Sequence, residues 1–383
     1  MKSLPLLLLG SLGCAASPDS APLLPTPSSP DACSAGALGW LIDDGGETTW
    51  LTPDPGAPLS LTTPGTLTLC PGTHTAALTI EAPLMLLGGG ATLSGDGSMT
   101  LIHIGTGAQQ VHIEDVTLTD GLATALSDAG ERAGGAIYCG SPAELTLHSV
   151  LLFNNAAQLG GGGHFGGGCM VSMSESTIAD NTAEHGAGLS LLGGTTTIER
   201  TDFSGNTGDS VIHASGLDVL QLLDVTLTQD DPTLAAVHIL DTDALALWGV
   251  EITDQSAAGV HLARVRHTLI GESIFTDTAG AIIGHDSESL RIYGSTFSWN
   301  AALKSGGAIW SGFDEITVNR SIFEGNTAPL GDAILLSQGT LSGRELVFSD
   351  QPDEDIFLTD ALTGYRPGPD FDCTTTACEA VSP

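Results

Sequence analysis

Basic side chains are scarce in this sequence: ten Lys and Arg stand against 45 Asp and Glu, leaving a formal net charge of −35. A field of that sign repels phosphate backbones and anionic lipid surfaces within a Debye length, so nucleic acid is excluded as a partner. Aromatics are also few, 5% of 383 residues, which argues for a narrow core of Val, Ile, Leu and Ala. Charged residues of both signs reach only 14%, while glycine reaches 50 positions; a helical bundle does not tolerate so many, because Gly inside a helix costs up to about 1 kcal/mol relative to Ala. A loop of alternating oxygen ligands of the EF-hand kind is missing. Neither a metal nor a cofactor is therefore expected.

What is present begins with an address. Lys2 precedes an apolar run at residues 4–12, too short to span a bilayer but long enough for a signal-peptide core. Gly10, Ser11, Leu12, Gly13 and Cys14 then resemble the cleavage box of bacterial lipoproteins, which implies removal of residues 1–13 and acylation of Cys14. Residues 14–32 are rich in Pro, Ser and Ala and read as a tether. The expected location is the cell envelope, as an outer-membrane lipoprotein held by its N-terminal lipid alone, with a secreted or periplasmic protein as the alternative. Seven cysteines less Cys14 leave six for an oxidising compartment. Fifteen pairings are open to six cysteines; the pairing chosen is Cys33 with Cys70, Cys139 with Cys169, and Cys373 with Cys378.

From residue 66 one short pattern returns. Its apolar anchors are Leu69, Leu93, Leu118, Phe153, Ile178, Phe203, Leu227, Ile252, Phe275, Phe297, Phe323 and Phe348, spaced 22 to 26 residues apart except for one interval of 35. A single repeating unit explains this, with a loop inserted around residues 125–133. Each unit is broken by Gly, Asn or Asp after four or five residues, and its apolar positions alternate with polar ones. That is strand chemistry. The predicted fold is all-β, a single-stranded right-handed parallel β-helix of about 12 rungs of 22 to 26 residues at 66–350, between an N-terminal cap at 33–65 and a C-terminal cap with a Cys loop at 351–383. The cap is expected because open strand edges invite aggregation. A leucine-rich-repeat horseshoe is excluded by the lack of its Leu-x-x-Leu-x-Leu signature. Asn181, Asn206, Asn300 and Asn326 sit three residues past their anchors and are expected to bond from rung to rung.

A second landmark, the Gly-Gly-Ala-Ile at 134–137 and 306–309, alternates with Phe203 and Asn206, Phe297 and Asn300, and Phe323 and Asn326. The phased set resembles the FxxN and GGAI repeats of the polymorphic outer-membrane proteins of chlamydiae and related bacterial surface proteins. Residues 67–97, with the turn Cys70, Pro71, Gly72, Thr73, His74, look like the first rung of pectin-lyase-like β-helices. These resemblances imply a surface-exposed adhesion or interaction module whose partner is a glycan or a surface protein.

Carbohydrate-active enzymes also use this architecture, and they are the alternative. A uronate lyase needs a basic cleft, which ten Lys and Arg do not furnish. A glycoside hydrolase needs two carboxyl groups across one bond; Asp209, Asp230 and Asp231, followed by His261, stand in an order similar to polygalacturonases, with Asp209 and Asp230 as acid and base candidates. Gly208 splits the Asn-Thr-Asp motif of that family, here Asn206, Thr207 and Asp209. His213, His238 and His261 recur 25 and 23 residues apart and, in register, stack on one outer face in a column shared with Tyr138 and Trp310. Neighbours at about 4.8 Å can share a ligand or a metal, although an ordinary exposed ladder without metal is expected. Tyr293, Trp299 and Trp310 are candidate sugar-stacking residues.

Overall fold

The computed structural model describes residues 38–42, 48–51, 58–228, 230–359, 363–365 and 369–381. They build an all-β parallel solenoid of about 11 turns, with no helix among the described residues. Each turn lays down one strand in each of three ladders. In the sixth turn, for example, Leu189–Leu192 belongs to the first ladder, Thr195–Glu199 to the second and Asp202–Ser204 to the third. Each pairs in parallel with its equivalents one turn before and after, as Ile198 does with Met173 and Leu222.

Alternation decides which residues face in. The strand Glu144–His148 reads exposed, buried, half-buried, buried, half-buried, as a pleated strand with one dry face must. The inward residues of all three ladders join one core that runs from Leu61 to Cys373. Its most ordered part is a file of phenylalanines, Phe275, Phe297, Phe323 and Phe348, with successive ring centroids 5.1, 5.0 and 5.2 Å apart and nearly parallel planes. The solenoid sets this spacing, since side chains one turn apart repeat at the strand separation.

Between the second and third ladders the chain turns on one left-handed residue per rung, such as Asp115 (φ 51°), Glu175 (φ 50°), Asp224 (φ 52°) and Glu345 (φ 55°). Left-handed conformation costs a non-glycine residue about 1 kcal/mol; in the turns at Gly249, Glu272 and Gly294, buried hydroxyls satisfy the backbone just past the corner. Val250 N–H donates to Ser273 Oγ, Ser273 N–H to Ser295 Oγ, and Ser295 N–H to Ser321 Oγ.

After the third ladder comes the expected amide ladder. Asn181 donates both its backbone N–H and Nδ2 to Asn206 Oδ1 (3.1 and 3.0 Å) and Nδ2 also to the Leu152 carbonyl. Asn300 repeats this on Asn326. Asn155 belongs to the same column, donating to Asn181 Oδ1.

Two anchors need correction. The column partner of Leu118 and Ile178 is Leu152, fully buried, while Phe153 points outward at 38% exposure. Asn155, three residues past Leu152, fixes the register that the larger apolar side chain of Phe153 obscured. In the first turn the position opposite Leu93 is held by His74, whose Nε2–H donates to the Cys70 carbonyl at 2.6 Å, whereas Leu69 pairs with Leu38. The insertion lies where the long interval places it: Leu126 bridges Arg132, and Tyr138 Oη donates to the Leu126 carbonyl at 2.9 Å.

Antiparallel strands lie on the last turn at each end. Leu38–Ile42 runs against Gly65–Leu69 at one end; at the other, Phe371–Thr374 runs against Thr340–Arg344 and Thr363–Tyr365 against Ile356–Leu358. Cys139 is bonded to Cys169 and Cys373 to Cys378. Cys70 is disulfide-bonded as well; the expected partner, Cys33, lies outside the described residues, as do Cys14, the signal segment and the tether. Thiol titration of the oxidised chain in denaturant, read by peptide mapping, is expected to find no free thiol at Cys139, Cys169, Cys373 or Cys378. Labelling of either pair without prior reduction would contradict it.

Candidate functional site

The outward face of the first ladder carries the chemistry. Its central column runs Thr79, His103, Tyr138, His164, Ser190, His213, His238, His261, Ile283, Trp310, Leu335 and Phe357, paired in unbroken register. In several turns a left-handed glycine four residues upstream fixes which residue faces out. Gly186 (φ 62°) precedes Ser190, and a Cβ there would stand 2.3 Å from the Leu189 carbonyl oxygen; only glycine fits so tight an entry into the strand. The turns carrying His213 and His238 lack that glycine and run as longer strands, Thr207–Ser215 and Asp231–Leu240.

His213, His238 and His261 therefore come together as the spacing predicts, and two further imidazoles extend the file. Successive ring centroids lie 5.7 Å (His185 to His213), 5.2 Å (to His238), 4.9 Å (to His261) and 5.2 Å (to His285) apart, and His285 meets Trp310 at 5.0 Å. The rings cover one another, so His238 is only 9% exposed although it points away from the core. The Nδ1 atoms of His213, His238 and His261 are buried without a hydrogen-bond partner among the described residues.

Burial, then the neighbouring imidazoles, push His238 and His261 down to about 4. His213 is also lowered, chiefly by burial and against the pull of Asp209. All three are neutral at physiological pH and keep a free lone pair.

Asp209 flanks this file. His185 Nδ1–H donates to its Oδ2 at 2.5 Å and Ser210 Oγ–H to its Oδ1 at 2.7 Å. Burial raises the Asp209 carboxyl, but those hydrogen bonds and the adjacent imidazoles outweigh it and hold the group below the ordinary range. One ligand atom each from Asp209, His213 and His238 fall within 4.8 Å of one another. At the other end of the column the inserted loop forms a wall. Ser127, Asp128 and Glu131 enclose, with Tyr138, His164 and Leu192, a cavity of about 340 Å³. His164 there is pushed down to about 4, mainly by burial.

The other candidate residues do not join this site. Asp230 is 4% exposed and stands in the amide ladder, where its Oδ1 accepts from Asn206 N–H and Nδ2 at 2.8 and 3.0 Å. Asp231 Oδ1 accepts from Ser256 Oγ at 3.0 Å. Tyr293 ends a second-ladder strand and takes a hydrogen bond from Arg320. Trp299 occupies a left-handed corner (φ 57°) after the third ladder. Tyr293, Trp299 and Trp310 thus lie on separate parts of the surface and make no shared sugar platform.

His103, His164, His185 and His285 escape a reading by anchor spacing. For His164 a signal exists: it lies four residues past Gly160, as Tyr138 does past Gly134. His185 and His285 sit outside the central column's sequence positions and join it only through the three-dimensional course of the turns. The chain matches no protein-family model, no curated protein and no solved structure.

Proposed function

We propose that this chain is an exported, lipid-anchored protein of the cell envelope whose β-helix is a non-catalytic interaction module, with the outward face of the first ladder as the surface that meets a glycan or a surface protein. The observation that carries this reading is the continuous file of imidazole and aromatic rings from His185 to Trp310, each ring 4.9–5.7 Å from the next. Such a file offers repeated, evenly spaced contacts to an extended partner, which is how solenoids bind. The FxxN and GGAI phasing supports kinship in design with polymorphic outer-membrane protein repeats, and the segment ending in Cys14 supports a lipid anchor. No helix among the described residues is long and apolar enough to cross a membrane.

The polysaccharide hydrolase alternative needs two carboxyl groups facing one bond. Asp230 lies in the interior, and Asp209 is engaged by His185 and Ser210. The test is mass-spectrometric product analysis after incubating the mature chain with a panel of bacterial and host polysaccharides, beside Asp209→Asn. Intact polymers throughout are expected, together with retention of the chain on at least one immobilised glycan or surface-protein fraction that Trp310→Ala weakens. New chain ends that vanish in Asp209→Asn would overturn the non-catalytic reading.

A further inference from the structure

The arrangement of Asp209, His213 and His238 has a use that stacking alone does not explain. Three potential ligand atoms, one oxygen and two nitrogens, already lie within 4.8 Å of one another. Around a tetrahedral first-row dication, ligands at 2.0–2.1 Å stand about 3.3 Å apart, so modest side-chain rotations on an outer face close the set. His238 is nine-tenths buried and its Nδ1 has no partner among the described residues. A buried ring nitrogen without a partner is costly, and three successive rungs repeat it, at His213, His238 and His261. A metal coordinated through Nδ1 would remove that cost at His213 and His238.

The supporting residues fit as well. His185 Nδ1–H and Ser210 Oγ–H hold the two oxygens of Asp209, the kind of outer hydrogen bonding that orients a metal-binding carboxylate. The net charge of −35 draws cations toward the surface. Imidazole with carboxylate selects zinc and its first-row neighbours over magnesium or calcium, which prefer all-oxygen sites.

We propose that Asp209, His213 and His238 form a binding site for a first-row transition-metal dication, zinc being the probe, with the fourth position open to the outer face. This departs from the metal-free ladder expected from sequence. It rests on the geometry of the column and stands whether or not the face docks a glycan or protein.

The experiment is equilibrium dialysis of the metal-stripped full chain against zinc in excess magnesium, which occupies unspecific carboxylates. One saturable zinc per chain is expected. Asp209→Asn and His238→Gln should each weaken it at least about tenfold, and His267→Gln, at an exposed histidine on the second ladder, should leave it unchanged. Cobalt added in place of zinc should give the intense visible absorption of a four-coordinate site in wild type and lose it in Asp209→Asn. That near-isosteric change on a partly exposed side chain keeps the test readable if His238→Gln does not fold. Absence of saturable zinc in magnesium, or equal affinity in wild type and both site variants, would overturn the proposal.

Discussion

Replacing Asp230 by Asn is expected to stabilise the fold at neutral pH by about 3 kcal/mol. Asp230 occupies a position that Asn fills in neighbouring turns. Its Oδ1 does the accepting work of the ladder, but its Oδ2 is buried with no partner among the described residues. Burial, and to a lesser degree the charge of Asp180, raise the carboxyl from 3.8 to about 6, against the hydrogen bonds from Asn206. Two pKa units correspond to roughly 3 kcal/mol of preference for the protonated form.

The sign follows from the direction of that shift. A carboxyl whose folded value is raised contributes its full stability below the unfolded value near 4 and loses it as pH climbs through about 6. The gain from Asp230→Asn should therefore be largest above pH 7 and shrink toward pH 4, where the wild-type group is itself neutral. Asparagine would also supply an Nδ2–H for the Phe203 carbonyl, as Asn206 does for that of Ile178 at 2.9 Å. Urea unfolding of both proteins across this range measures the difference directly, so the other carboxyl groups cancel. A difference independent of pH, or a destabilised variant, would show that the carboxylate is compensated in the ladder. A stabilised variant that had also lost a polysaccharide-cleaving activity would return Asp230 to a catalytic role.

The same residue shows what a one-dimensional reading can and cannot reach. Spacing gives the solenoid because every turn must bury an anchor and close with a polar turn residue, and both leave marks in the sequence. It gives the column of His213, His238 and His261 for the same reason: strict register translates a recurrence of 23 to 25 residues into a stack. Asp230 reads as a candidate acid or base because carboxylates are scored by type and interval. That it lies inside depends on its being three residues past Leu227, the ladder offset already set by Asn181 and Asn206.

Phe153 misleads in the opposite way, since hydrophobicity favours it while the pleat assigns the interior to Leu152. The association of Asp209 with His185 and His213 is the least legible feature. It crosses turns at positions where strand lengths change and the register shifts between Gly208 and Ser210.

Removal of residues 351–383 is expected to make the chain self-associate. The last full turn presents parallel strand edges whose N–H and C=O groups would otherwise pair with the next turn. In the intact chain, Ile356–Leu358 continues the first ladder and is closed by antiparallel Thr363–Tyr365; Phe371–Thr374 closes the second ladder against Thr340–Arg344 and folds back on Cys378–Ala380. Direction matters here, because on the first and second ladders an antiparallel strand takes the place of the next parallel one and ends the coil. The Cys373–Cys378 bond fastens the last hairpin.

Phe371 adds a plug: it is 1% exposed, packs over Gly343 and lies 6.4 Å from Phe348, ending the phenylalanine file. Its loss alone would uncover apolar surface worth about 2–3 kcal/mol and leave Phe348 without its outer neighbour. The bare edges of Ile334–Leu336, Thr340–Arg344 and Val347–Ser349 above an open core make a template for a second copy of the chain. Sedimentation velocity over a range of concentrations should show the full chain as one species and the truncation at residue 350 as growing aggregates. Phe371→Asp, which keeps the strands but breaks the plug, should fall between them. A truncation that remains monomeric would mean that the left-handed corner at Asp350 and the acidic surface suffice to protect the end, and that residues 351–383 serve something other than closure.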